Sequence, residues 1–494
     1  MSFLGIDLGT SSVKIILMDE QGRVLESVSK EYPVHYPENY WAEQNPEGWW
    51  KAVEEGIGEI TLKKEIKSIG LSGQMHGLVA LDEEGKVLMP AMLWCDQRTY
   101  KECEEIEELI GQEKLSEYTG NKPLTGFTAP KILWVKKHKG QLYDKIKHIL
   151  LPKDYIRFKL TGEYATDVSD ASGTLLFNVK NRNWSKEMLK ALNIDEGLMP
   201  KCFESYEITG YVKRAVAEKI GLNGEVAVIA GGGDQACGAI GTGTVNKGII
   251  SVSLGTSGVV FACQEEYVID KKNRLHSFCH GNGKWHLMGV MLSAASSLKW
   301  WVENINADIK LNAFETILEE SEKVEPGSNG LIFLPYLMGE RTPYSDVNAK
   351  GVFIGLNINH KRAHMSRSII EGVCFGLNDS LEIIRSLGIP IKEVRVSGGG
   401  AKSKLWRQTL ADIFNARVDV INSAEGSAYG AAILAAVGVG AFKNIDEACS
   451  KLIKVTESIY PIDKNVKKYR QTYLIYNSLY EKLKDTFEDI SKTL

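Results

Sequence analysis

The chain has 494 residues, 44% hydrophobic and 25% charged, which is the balance of a folded globular protein and excludes disorder as the dominant state. Its net charge of −4 and the lack of a long basic block argue against nucleic acid as a partner. No stretch reaches the ~18 consecutive apolar residues of a membrane span, and the start MSFLGIDLG lacks the basic and apolar regions of a signal peptide, so a cytoplasmic protein without a membrane partner is expected.

The length exceeds the roughly 250–300 residues at which one core stops growing, so two domains are expected, 1–244 and 245–494. FLGIDLGT reads as a short buried strand ending at Gly9, and SVKIILMDEQGRVLESVSKEYPV as two alternating strands joined at Asp19–Gly22. PEGWWKAVEEGIGEI places Trp49, Val53 and Ile57 at helical spacing, and the strand IKSIGLS follows. The alternation predicts an α/β fold with a sheet covered by helices. The glycine-rich run Gly231–Gly248 is the expected boundary. Beyond it KGIISVSLGTSGVVFAC repeats strand, LGTS turn, strand, with the first LGTS at Leu8 and the second at Leu254. A helical segment, NVKKYRQTYLIYNSLYEKLKDTF, is expected to pack back on the body. The eight cysteines are scattered singly and read as buried or idle thiols; His276, Cys279 and His280 fall close together, without a second ligand cluster to make a metal site.

Five segments could carry chemistry. Asp7 precedes Gly9-Thr10-Ser11-Ser12, where glycine lets backbone amides approach an anion and hydroxyls add donors; Lys14 could add charge, and Asp7 could hold a hydrated Mg²⁺. Gly255-Thr256-Ser257-Gly258 offers a second such set, and two turns in equivalent positions could grip one polyphosphate from both sides. VRVSGGGAKSKLWRQTLADIF is a strand, a glycine turn at Gly398–Gly400 and an amphipathic helix carrying Trp406, Leu410 and Ile413; it is neither a Walker A loop nor a dinucleotide fingerprint. In AVIAGGGDQACGAIGTG, Asp234 follows an apolar strand inside a glycine-rich turn, fitting a carboxylate that accepts a proton from an attacking hydroxyl or, equally, an Asx-type turn. Gln74, Met75 and His76 close a strand, and Trp94, Asp96 and Arg98 follow another; polar partners beside an apolar wall suit a polyhydroxylated ligand.

Together these segments resemble the FGGY carbohydrate kinases over nearly the whole chain. GFTAPKILWVKKH (Gly126–His138) and GVFIGLNINHKRAHMSRSIIE (Gly351–Glu371) are similar to that family's two signature segments, and SGQMHG is similar to the substrate loop of its D-xylulose-phosphorylating branch. The resemblance implies two ribonuclease H-like domains of the actin and sugar-kinase type with a nucleotide cleft between them. It implies ATP-dependent, Mg²⁺-assisted phosphorylation of D-xylulose, with ribulose, glycerol or gluconate as rival acceptors and a non-catalytic actin-like switch as a distant one. By the same resemblance Asp234 is the general base, and Met75 and His76 contact the sugar, beside Gln74, Trp94, Asp96 and Arg98. Asp7, Thr10, Ser11, Ser12, Lys14, Gly255 and Thr256 serve phosphates and metal, and Gly399, Gly400 and Lys402 serve the nucleotide. Gln235 departs from the Asn that commonly follows the base in that branch. The segments SDASGT (Ser169–Thr174) and GERTP (Gly339–Pro343) look familial without a role, and the assembly state, a homodimer among the options, stays open.

Overall fold

The computed structural model describes residues 1–423 and 425–493. β1 (Ser2–Leu8), β2 (Ser12–Asp19) and β3 (Val24–Glu31) form an antiparallel meander. β1 and β2 are apolar runs buried on both faces, whereas β3 alternates half-buried and exposed residues, as a one-faced strand must. Asn45 caps α1 (Pro46–Glu59) by accepting from the Glu47 amide, and Trp49, Val53 and Ile57 form its buried face. Burial of Val53 and Ile57 contributes about 1.5–3 kcal/mol each. β4 (Ile66–Gly73) then pairs in parallel with β1. An insertion carrying α2 (Thr128–His138) and α3 (Pro152–Thr161) precedes β5 (Ile208–Tyr211) and β6 (Ala227–Ile229). The main path of this sheet runs β5-β6-β4-β1-β2-β3.

The second half repeats the plan. β7 (Ile249–Leu254) and β8 (Gly258–Gln264) form the hairpin around the second LGTS, followed by β9 (His276–Cys279) and β10 (Trp285–Met291). α5 (Arg362–Ser386) leads to β11 (Glu393–Ser397), α6 (Lys404–Phe414) and β12 (Val418–Ile421). Beyond the helix Gly426–Gly438, described below, lies the edge strand β13 (Val455–Ile459). The order is β9-β10-β8-β7-β11-β12-β13. β7 therefore sits in its sheet as β1 does in the other, between an antiparallel hairpin partner and a parallel strand, and an antiparallel strand closes each parallel edge. Two copies of the expected ribonuclease H-like topology follow from this pairing.

The glycine-rich run does not remain a turn. It folds into α4 (Asp234–Gly241), which crosses α7 (Gly426–Gly438) with the two backbones in contact. A Cβ on Gly430 would overlap the Cys237 carbonyl, so the small residues are a packing requirement. α7 also lies on the first sheet, where a Cβ on Gly70 would overlap the Ala431 carbonyl. A helix of the second half thus covers the sheet of the first and joins the halves through one buried cluster that includes Phe3, Ile16, Ile229 and Leu434. The final helix, α8 (Asp463–Lys492), packs back as expected, burying Tyr469, Tyr476 and Phe487. Among the described residues no helix is long and apolar enough to cross a membrane.

Candidate active site

The first LGTS turn is held from behind. Gly9 donates to the Ser12 carbonyl (2.9 Å), the Tyr32 hydroxyl to the Gly9 carbonyl (2.6 Å), and Gln44 Nε2 to the Thr10 carbonyl (2.7 Å). Trp94 Nε1 donates to Thr10 Oγ1 (2.9 Å). With those carbonyls engaged, the Thr10 and Ser11 amides have no acceptor among the described residues. Free amides of this kind are what an anion-binding turn requires. The second turn has the same form: Gly255 donates to the Ser257 carbonyl (3.1 Å), while Ala294 and Ala295, at the start of a short helix, donate to the carbonyls of Thr256 and Gly255 (2.9 Å each).

A cavity of about 260 Å³ is lined by Asp7, Asp234, Ser253, Ser397, Gly398 and Glu425, among others, so it holds the strand residue two positions before the glycine of each turn. A larger cavity of about 420 Å³, between Glu322–Pro326 and α6, is lined by neither Asp7 nor Asp234. Asp7 Oδ1 accepts from Ser72 Oγ (2.8 Å) at the end of β4. Burial raises the Asp7 carboxyl, opposed by the Ser72 bond and the Lys14 charge. Asp234 opens α4, and burial first, then the nearby Asp7 charge, pushes its carboxyl up to about 7. A carboxylate that titrates near neutrality can take a proton and release it again. The hard oxygen donors of Asp7 and Asp234, beside two amide-rich turns, fit a hydrated divalent cation carried with phosphates.

The strand-end loop after β4 runs beside Asp234. Met75 packs on the backbone preceding Asp234: a Cβ on Gly233 would lie 2.8 Å from Met75 Sδ. His76 holds a left-handed backbone (φ 69°), a cost of ~1–3 kcal/mol for a non-glycine residue. Its carbonyl is fixed by Lys131 Nζ (2.9 Å) and Thr128 Oγ1 (3.1 Å), both from α2. His76 Nδ1 lies 2.7 Å from the Gly173 carbonyl, and burial pushes the ring down to about 3. The neutral ring therefore donates through Nδ1 and leaves Nε2 as an acceptor.

Other predicted residues take different positions. Gln74 is buried, with Nε2 bonded to Gln44 Oε1 (3.0 Å), so it braces the first turn. Asp96 and Arg98 pair with each other (2.6 Å), Arg98 also with Glu43 (2.8 Å), and the guanidinium stacks 3.6 Å above Trp41. Their charges thus serve the loop that carries Trp94. Lys14 pairs with Glu425 at the start of α7. Gly399 and Lys402 are exposed and Gly400 half-buried at the turn after β11, where Ser403 caps α6 through the Trp406 amide.

The sequence reading missed the support beneath Asp234. Lys153 Nζ, fully buried on α3, contacts Asp154 (2.5 Å), Asp167 (2.9 Å) and Asp170 (3.4 Å). Asp167 Oδ2 accepts from Ser169 Oγ (2.5 Å) and Ser205 Oγ (2.8 Å), and Ser169 Oγ accepts from the Gly233 amide (3.1 Å), next to Asp234. The segment SDASGT thereby acquires a physical place: its serine ties a buried ion cluster to the backbone next to Asp234. PKDYIR and TDVSD carry the charges, and only the fold brings them together.

The family model described as FGGY family of carbohydrate kinases, N-terminal domain, matches residues 2–241, and the corresponding C-terminal domain matches residues 250–439. The chain belongs to the FGGY family of carbohydrate kinases. Enzymes of this class use ATP, generally with a divalent metal, to phosphorylate a small sugar. The xylulose kinase of Bacillus subtilis is 41% identical over 98% of this chain and 97% of its own length. Among solved structures, a ligand-bound xylulose kinase from Lactobacillus acidophilus matches with TM-score 0.94 and 27% identity, covering 99% of both chains. A gluconate kinase from the same organism matches equally well in shape, TM-score 0.94 at 26% identity and 99% coverage of both.

Proposed function

We propose that this protein is a cytoplasmic kinase that phosphorylates D-xylulose at its terminal hydroxyl, giving D-xylulose 5-phosphate and ADP. The reading rests on one observation above all: Asp234, whose carboxyl is pushed up to about 7 by burial and the Asp7 charge, lines one cavity with Asp7 and Ser253, the strand residues before the two turns, while Met75 packs against the backbone just before it. The acceptor hydroxyl loses its proton to the Asp234 carboxylate as its oxygen attacks the γ-phosphorus; the bond to the bridging oxygen breaks and ADP leaves. Thr10, Ser11, Ser12, Gly255 and Thr256 receive the phosphates from the two lobes, 1–244 and 245–494. Gly399, Gly400 and Lys402 border the nucleoside. Asp7 is the residue to hold Mg²⁺, which when bound neutralises charge on the phosphates. Lys14, already paired with Glu425, ties the first turn to α7 instead of binding phosphate directly. Met75 and His76 form the sugar wall, Trp94 orders the turn, and Gln74, Asp96 and Arg98 act behind it.

The xylulose kinase relatives and the SGQMHG loop favour D-xylulose over other acceptors. A coupled ADP-release assay over D-xylulose, ribulose, glycerol and gluconate tests this. D-xylulose is expected to give the highest kcat/KM; gluconate or glycerol in that place would replace the assignment.

A further inference from the structure

The segment GERTP is unabsorbed by this mechanism. Its Arg341 is half-buried, and its guanidinium has no hydrogen-bond or ion-pair partner among the described residues. Every other buried or half-buried arginine among the described residues pairs with a carboxylate, as Arg98, Arg157, Arg182 and Arg367 do. A partly dehydrated cation without an acceptor is costly unless a ligand supplies one.

The loop around Arg341 is built to hold it in place. Glu340 Oε1 accepts from the Arg341 amide (2.7 Å) and the Leu292 amide (3.1 Å). Thr342 is bonded through its amide to the Val290 carbonyl (2.9 Å), and Thr342 Oγ1 donates to the Arg274 carbonyl (3.1 Å) and accepts from the Val290 amide (3.0 Å). Burial pushes the Glu340 carboxyl up to about 8, so it does not neutralise its neighbour at neutral pH.

The guanidinium reaches across from the second half to Gly126, in the loop that leads into α2 of the first. A Cβ on Gly126 would lie 3.9 Å from Arg341 Nη2, and the Gly126 carbonyl shares Lys131 Nζ (2.6 Å) with the carbonyl of His76. Phe127, next in the chain, packs its ring 4.8 Å from His76 and 5.7 Å from His276. Lys122, also half-buried, has no side-chain partner among the described residues either. Arg341 therefore brings only donors to a wall where His76 Nε2 is an acceptor, and Met75 extends that wall to the backbone of the base.

We propose that Arg341 is a specificity-determining residue that binds the carbonyl end of a 2-ketose, its guanidinium donating to O2 and O1 while the hydroxyl at the other end meets Asp234. The proposal rests on the sugar-kinase reading of this site. A ketone oxygen is a pure acceptor in a plane that a forked donor can meet, and its loss leaves the half-buried guanidinium unpaired.

The test measures kcat/KM for D-xylulose and for xylitol, which has the same carbon skeleton without the carbonyl and can be read as a substrate or a competitive inhibitor. Wild type, Arg341→Met and Arg341→Lys are compared at saturating ATP. Arg341→Met is expected to lower kcat/KM for D-xylulose about 100-fold, mainly through KM, and to lose the preference over xylitol, with KM for ATP unchanged. Arg341→Lys, which keeps charge without the fork, is expected to lose about 10-fold. An equal loss on both ligands, a change confined to KM for ATP, or an unchanged KM for D-xylulose overturns the proposal. If Arg341→Met does not fold, Arg341→Lys decides by the same ratio. The acceptor panel fails separately: if wild type prefers another ketose, the ratio is measured with that ketose and its alditol, and if it prefers gluconate, the ketone assignment falls.

Discussion

The two LGTS turns share their backbone and differ in charge. Each closes on a glycine amide donating to a carbonyl two or three residues on, and in each the two amides after that glycine have no acceptor among the described residues. Yet Asp7 stands before the first where Ser253 stands before the second, and the residue paired with each across its hairpin is Lys14 in one and Val259 in the other. The first turn is braced by the side chains of Tyr32, Gln44 and Trp94, the second by the backbone of a following helix. A duplicated scaffold thus places amide donors on both sides, while the ionisable machinery sits on one. Charge needs only one side of a phosphate chain, since a second carboxylate facing the first would repel it and the anion between them.

That asymmetry can be broken in two ways. Converting the first turn to the second with Asp7→Ser is expected to lower kcat by about 100–1,000-fold and to weaken the dependence of rate on divalent metal, read in the coupled assay across a metal titration. Wild-type metal dependence in that variant would remove Asp7 from the metal site. The converse, Ser253→Asp, adds a carboxylate to the cavity shared by Asp7 and Asp234. It should move the acid limb of the kcat/KM profile upward by about one pH unit, because like charge further favours protonated Asp234. An unmoved limb would show that Ser253 does not share the field of the base.

Much of this was legible in the residues. The hairpins around LGTS, the helix Pro46–Glu59 and the final helix follow from local periodicity, and local periodicity survives folding. What escaped depended on distant partners. DQACGAIG reads as a turn because of its glycines, but those glycines serve the backbone contact of α4 with α7, almost 200 positions away in the chain. Asp96 and Arg98 read as sugar partners, with no sign in the sequence that Glu43 and Trp41 also meet the guanidinium. Lys14 reads as a phosphate contact, and its ion pair with the distant Glu425 is likewise visible only in the fold. The ion cluster around Lys153 unites two separate segments, and no spacing rule links them.

The most direct test of the account is the pH profile of Asp234→Asn, which keeps the side-chain shape and removes the base. In the wild type, kcat/KM should rise with pH through about 7, since the raised carboxyl must ionise before it can accept the hydroxyl proton. The variant should lose about 1,000-fold or more in kcat, retain ATP binding, and show no limb near 7. Turnover within a few-fold of wild type, or an unchanged limb, would contradict the central role given to Asp234.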